Sequence, residues 1–141
     1  VGVEVEVEVV VVVVVAREKK TTLAELAASV LPVGRYEFRA RFGRYFSDRR
    51  RVVIALLPVV RLDGQRRTAV NGEDFDTVFA TFPLAIPRFV ADLKRLAAEA
   101  KISEELPLGD FAEAFAELRL VGDVFCRTEP YRDVKNLTVL K

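Results

Sequence analysis

The sequence predicts a mainly β protein with helices inserted late in the chain, and three observations carry that prediction. Arg35 to Phe42 alternates charged and apolar residues, the period-two pattern of a strand with one face in a core. Residues 52–62 form a nearly continuous apolar run of the kind buried on both faces. From Pro87 the apolar spacing lengthens to three and four residues, as on a helix, before strand-like sequence returns at Arg119. With 141 residues, 51% of them hydrophobic, the chain fits one domain able to bury a core.

The elements follow in order. A Val-Glu alternation to Glu8 leads into an unbroken valine run ending at Val15, and branched Cβ atoms favour extended backbone. Residues 1–16 are read as an N-terminal strand or arm, apolar on both faces from Val9 and in need of a covering partner. The arm lacks a basic n-region and a small-residue cleavage site, and its apolar part falls short of the roughly 20 residues that span a bilayer. Neither a signal nor a membrane span is expected. Thr21 or Thr22 caps a short helix from Leu23 to Val30, with Glu25 completing a capping box, and Pro32 and Gly34 end it.

A long strand is expected over 35–46, then a turn at Ser47, Asp48, Arg49 and Arg50, then a returning strand over 52–62 in which Pro58 marks a bulge or an edge. Asp63-Gly64 and Asn71-Gly72 are turn signals of the hairpin type, and a further strand occupies about 75–84. Pro87 sits in the first turn of an amphipathic helix reaching about Ala100. Asp110 opens a shorter helix with Phe111, Ala114, Phe115 and Leu118 on one face. Strands over 119–128 and 134–140 close the chain. Residues 17–141 thus make a single domain with a helical insertion at about 87–118.

Composition removes whole classes of chemistry. There is no histidine and Cys126 is the only cysteine, which excludes a zinc site, a disulfide, a Cys-His nucleophile and a Ser-His-Asp triad. No phosphate loop of the GxxxxGK[ST] type is present. Glu73-Asp74-Phe75-Asp76 offers oxygen ligands to a hard cation, but it follows a turn glycine and no second carboxylate group completes it. No enzyme, metal or cofactor is expected. The unpaired cysteine is compatible with a cytoplasmic location, which is the expected one.

The net charge of +1 hides an asymmetry. Arginines at 35, 39, 41, 44, 49, 50, 51, 61, 66 and 67 face only Glu37, Asp48 and Asp63, a local charge of +7. The alternation puts Arg35, Arg39 and Arg41 on one face and Tyr36, Phe38 and Phe42 toward the core. A solvated strand face would look the same. The tip is more distinctive: Tyr45 and Phe46 stand beside Arg49, Arg50 and Arg51, and the last hairpin repeats the theme with Tyr131, Arg132 and Lys135. Guanidinium forks suit phosphate and aromatic rings stack on bases, the recurrent chemistry of single-strand binding.

Several short motifs agree with this. Leu31-Pro32-Val33-Gly34-Arg35-Tyr36-Glu37-Phe38 opens the first strand of the domain, Leu62-Asp63-Gly64 follows the second, and Phe89-Val90-Ala91-Asp92-Leu93-Lys94-Arg95-Leu96 is a helix inserted after the third. Leu120-Val121-Gly122 then leads a strand, and Tyr131 and Asn136 flank the last hairpin. In these features the chain from about Leu31 to Lys141 resembles a family of small phage proteins associated with single-stranded-DNA binding on an OB-like fold. The valine strand is no part of that pattern, and the family's usual glycine after the tyrosine is missing from the last hairpin. The resemblance implies an OB-like five-stranded antiparallel barrel whose strands 2 and 3, with the loops joining 1 to 2 and 4 to 5, contact oligonucleotides.

The expected function is sequence-nonspecific, non-catalytic binding of single-stranded DNA. Arg49, Arg50, Arg51, Arg132 and Lys135 would neutralise phosphates, and Tyr45, Tyr131 and Phe46 would stack bases, the two basic tips facing each other. The protein would form a homo-oligomer through the strand from Val1 to Val15. The competing reading is a structural or self-assembling protein, such as a virion, filament or designed β scaffold, whose N-terminal strand augments a neighbouring subunit's sheet.

Overall fold

The structure, a computed structural model, describes residues 30–128 and 131–140, so the valine strand and all but the last residue of the helix expected from Leu23 fall outside it. Among these residues six strands and two helices follow one another: β1 (Gly34–Phe46), β2 (Arg51–Asp63), β3 (Arg66–Ala69), β4 (Val78–Pro83), α1 (Pro87–Ala100), α2 (Leu108–Glu113), β5 (Arg119–Thr128) and β6 (Tyr131–Val139). All pairings are antiparallel, in the order β3-β2-β1-β5-β6, with β4 also on β2. The mainly β character and the helices inserted before the last two strands are as the sequence predicts.

β2 is long enough to serve two neighbours. Residues 51–56 pair with β4 and residues 60–63 with β3. Pro58, with no N–H to give, lies in the gap between those two ladders and beside a register shift in the β1–β2 pairing, where its cost is least. β3 is a strand the sequence did not announce. It forms because Gly64 adopts φ 63 in a two-residue turn between the partners Asp63 and Arg66.

The inner face of the sheet holds the core. Tyr36, Phe38 and Ala40 of β1 meet Val52, Ile54 and Leu56 of β2 and Val78, Ala80 and Phe82 of β4, each set at period two. Leu93, Leu96 and Ala97 of α1 close this face from one side, and Phe111 and Ala112 of α2, with Phe115 just beyond it, from another, the Phe111 and Phe115 rings edge to face at 5.4 Å. α2 begins at Leu108, two residues before its expected start at Asp110, and ends at Glu113. The chain then turns at Glu117 (φ 69), and both backbone groups of Ala40 are taken up there. The Glu117 N–H donates to the Ala40 carbonyl and the Ala40 N–H to the Leu118 carbonyl, each at 2.8 Å.

Asn71-Gly72 does not close a hairpin. The Asn71 side chain instead accepts from the Glu73 N–H at 3.3 Å and starts a short 3-10 turn, Gly72–Asp74, which delays β4 to Val78. At the other end of the chain β6 starts at Tyr131, three residues before its expected beginning.

The sheet is open. β4 and β6 come close without exchanging ladder bonds, so a closed five-stranded barrel is not what the pairing draws. Side chains of α1 bridge the seam instead: Arg95 donates to the Leu137 carbonyl at 2.7 Å, and the Glu99 carboxylate accepts from the Val139 N–H at 2.9 Å. An edge that would otherwise carry free backbone groups is thereby partly satisfied. A cleft of about 640 Å³ remains between β4, α1 and β6.

Candidate nucleic-acid interface

Arg41 decides which side chains share the outer face of the sheet. It is the extra residue of a bulge: Ala40 pairs with Leu56, but Phe42 pairs with Ala55. Up to Ala40 the odd residues of β1 point outward, and beyond the bulge the even ones do. Phe42, expected in the core from its parity, is therefore on the outer face with Arg44 and Phe46. Tyr45 undergoes the opposite correction. Expected to stack on bases, it turns inward and packs, partly buried, against the core.

Continuing the register through β2 into β4 gives three cross-strand rows on the outer face. They are Phe42–Ala55–Phe79, Arg44–Val53–Thr81 and Phe46–Arg51–Pro83. Strands about 4.8 Å apart set the Phe42 and Phe79 positions roughly 10 Å from each other, with the short Ala55 between them. Phe79 is 40% exposed, whereas Ala55 and Val53 in the middle of their rows are buried. Guanidinium groups lie over the other two rings. The Arg44 Cζ is 5.5 Å from the Phe42 ring centre and the Arg51 Cζ 5.1 Å from that of Phe46. The buried Nε of Arg51 meets no acceptor among the described residues.

The charge on this face divides along β1. Near its start the arginines are neutralised: Arg35 by Asp123 at 3.0 Å, Arg39 by Glu117 at 2.8 Å, and Arg67 by Glu37 at 2.7 Å. Among the described residues Glu37 is the one buried charged side chain, 5% exposed, and it accepts from both arms of the Arg67 fork. At the far end of β1 the pattern reverses. Arg49, Arg50 and Arg51 form no ion pair among the described residues, and Arg49 and Arg50 are exposed in the turn, Arg50 with φ 47. Arg51, by contrast, is half-buried over the Phe46 ring. The charge of Arg35, Arg39 and Arg67 is largely spent within the fold.

The second basic tip stands elsewhere. Gly34 pairs with Val124 and Arg39 with Arg119, so β5 runs past the start of β1 before turning into β6. The register sets the two tips at opposite ends of β1 instead of side by side. Within the second tip, Tyr131 is 71% exposed. The Nε of Arg132 donates to the Leu31 carbonyl at 2.8 Å, tying down the segment that enters β1. The Lys135 ammonium lies 5.1 Å from the Phe125 ring centre. Nearby, a hydrogen bond from Asn136, ahead of the charges of Arg35 and Lys135, holds the Asp123 carboxyl below its ordinary pKa against the opposing effect of burial.

Phe42, Arg44 and Phe79 are thus site candidates that parity counting missed. The signal was present: Arg39 and Arg41 are odd and Arg44 is even, so the alternation breaks between them. In Val78-Phe79-Ala80-Thr81-Phe82 the alternation is regular and sets Phe79 and Thr81 opposite the core residues. Among the described residues no cluster of three or more Cys, Asp or Glu could hold a metal ion, and no helix is long and apolar enough to cross a membrane. No protein-family model, no curated protein and no solved structure matches the chain.

Proposed function

We propose that the protein binds single-stranded DNA without sequence preference, on the outer face of β1, β2 and β4. The observation that carries this reading is the placement of Arg49, Arg50 and Arg51, which form no ion pair among the described residues, at the end of a face bearing Phe42, Phe46 and Phe79. Guanidinium groups take phosphates, and ring faces accept any base, since every base has a π face. In the finer description of the fold, β1, β2, β4, β5 and β6 stand for the five strands of an OB-like barrel whose seam α1 bridges, and β3 is an added strand. The outer face of β2 and β4 then matches the strands that such barrels offer to oligonucleotides. The role given to residues 1–15 in self-association rests on sequence alone.

Fluorescence anisotropy of a labelled, unstructured oligonucleotide tests the proposal. The affinity should fall linearly on a log scale with salt, and replacing Arg49, Arg50 and Arg51 together by Ala should flatten that slope by about 2, at roughly 0.7 per lost phosphate contact. Phe79→Leu should cost about 1–3 kcal/mol of binding with the slope unchanged, because it removes stacking and leaves the charge. Absence of binding at low salt would contradict the proposal.

A further inference from the structure

The outer face has an acidic end opposite its basic tip. The turn Gly72–Asp74 is seated on β2, where a Cβ on Gly72 would collide with the Leu57 side chain and the Pro58 carbonyl. Asn71 fixes the acids of the turn, accepting from the Glu73 N–H and donating to the Asp74 carboxylate, both at 3.3 Å. From this position Glu73 faces Arg41, the bulge residue, at 3.7 Å.

That ion pair differs from the others on β1. Arg35 and Arg39 hold their carboxylates at 3.0 and 2.8 Å, within hydrogen-bond range. The Arg41–Glu73 pair is longer than a hydrogen bond, and its side chains are 41% and 63% exposed. Arg41 also lies between the start of β1, where Arg35 and Arg39 are ion-paired, and the basic turn of Arg49 and Arg50. A phosphate backbone running from the basic tip past Arg44 would reach it.

We propose that Glu73 is an internal competitor for phosphate at Arg41, masking one cation of the face and so weakening its hold on single-stranded DNA. This rests on the binding reading given above. An exposed, loosely held pair of this kind is worth little, so a phosphate can displace the carboxylate at small cost. The Glu73 carboxylate then swings into solvent and Arg41 becomes one further phosphate contact.

The test is an anisotropy titration of the same oligonucleotide with four chains: wild type, Glu73→Gln, Arg41→Ala and the double variant. Glu73→Gln should bind up to about fivefold more tightly at low salt, the equivalent of about 1 kcal/mol. Arg41→Ala alone should change affinity less than twofold, and the double variant should lose the whole gain. If the gain persists in the double variant, Glu73 acts by general repulsion and the inference is wrong. It is equally wrong if wild type binds and Glu73→Gln gains nothing, a result that leaves the binding reading standing. Absence of binding by every chain would remove that reading and this inference with it.

Discussion

Single residues set the direction of each face of this sheet, and Gly43 shows how tightly. Just beyond the Arg41 bulge it points inward, where a Cβ would run into the backbone carbonyl of Ala112 in α2. Backbone cannot yield as a side-chain tip can, so Gly43→Ala should destabilise the chain by about 2 kcal/mol or more in urea unfolding. A change below about 0.5 kcal/mol would mean that α2 does not pack there. Asn136 acts through charge. It sits at φ 56, the extra residue of the β6 bulge, and its amide donates to Asp123 at 2.9 Å. A carboxyl with a folded pKa below its unfolded value of about 3.9 adds stability that is present above that value and lost as pH falls through the folded pKa. Asn136→Gly keeps the left-handed backbone and removes the hydrogen bond. The Asp123 pKa followed by NMR should therefore rise toward its ordinary value, and acid unfolding should begin at higher pH. At this scale the sequence was only partly legible. The inward Tyr36 and Phe38 followed from parity, whereas Phe42 and Tyr45 did not, because one inserted residue inverts the pattern.

Among the elements, strand existence was easier to read than strand partnership. The extents of β1, β2, β5 and α1 lie within one or two residues of what periodicity gives, since each is long and regular. β3 has four exposed residues with no apolar pattern, and the Asn71 cap depends on what Gly72 packs against, so neither could be read locally. The seam between β4 and β6 is likewise a tertiary matter. Arg95 and Glu99 look like an ordinary helical i,i+4 ion pair at 3.0 Å, yet both also bond to the backbone of β6. Arg95→Ala should therefore cost about 1–2 kcal/mol, more than an exposed pair contributes, because it strands the Leu137 carbonyl. Denaturant unfolding together with hydrogen exchange at Val139 would show it. Loss of no more than a few tenths of a kcal/mol would mean that the seam does not depend on α1.

Over the whole domain, the +7 of residues 35–67 overstates the charge a ligand meets. Asp123 and Glu117, distant in sequence, cancel Arg35 and Arg39, while Arg49, Arg50 and Arg51 form no ion pair among the described residues. The narrowing to that tip was legible from the triple arginine beside a turn. The aromatic rows beside it, and the placing of the second tip at the other end of β1, depend on register and were not. The central claim, that single-stranded DNA lies on the outer face of β1, β2 and β4, is tested most directly by backbone amide shifts during titration with an unstructured oligonucleotide. The largest changes are expected at Phe42 to Arg51 and at Val53, Phe79 and Thr81. Changes confined to the β5–β6 hairpin around Tyr131, or to α2, would contradict it.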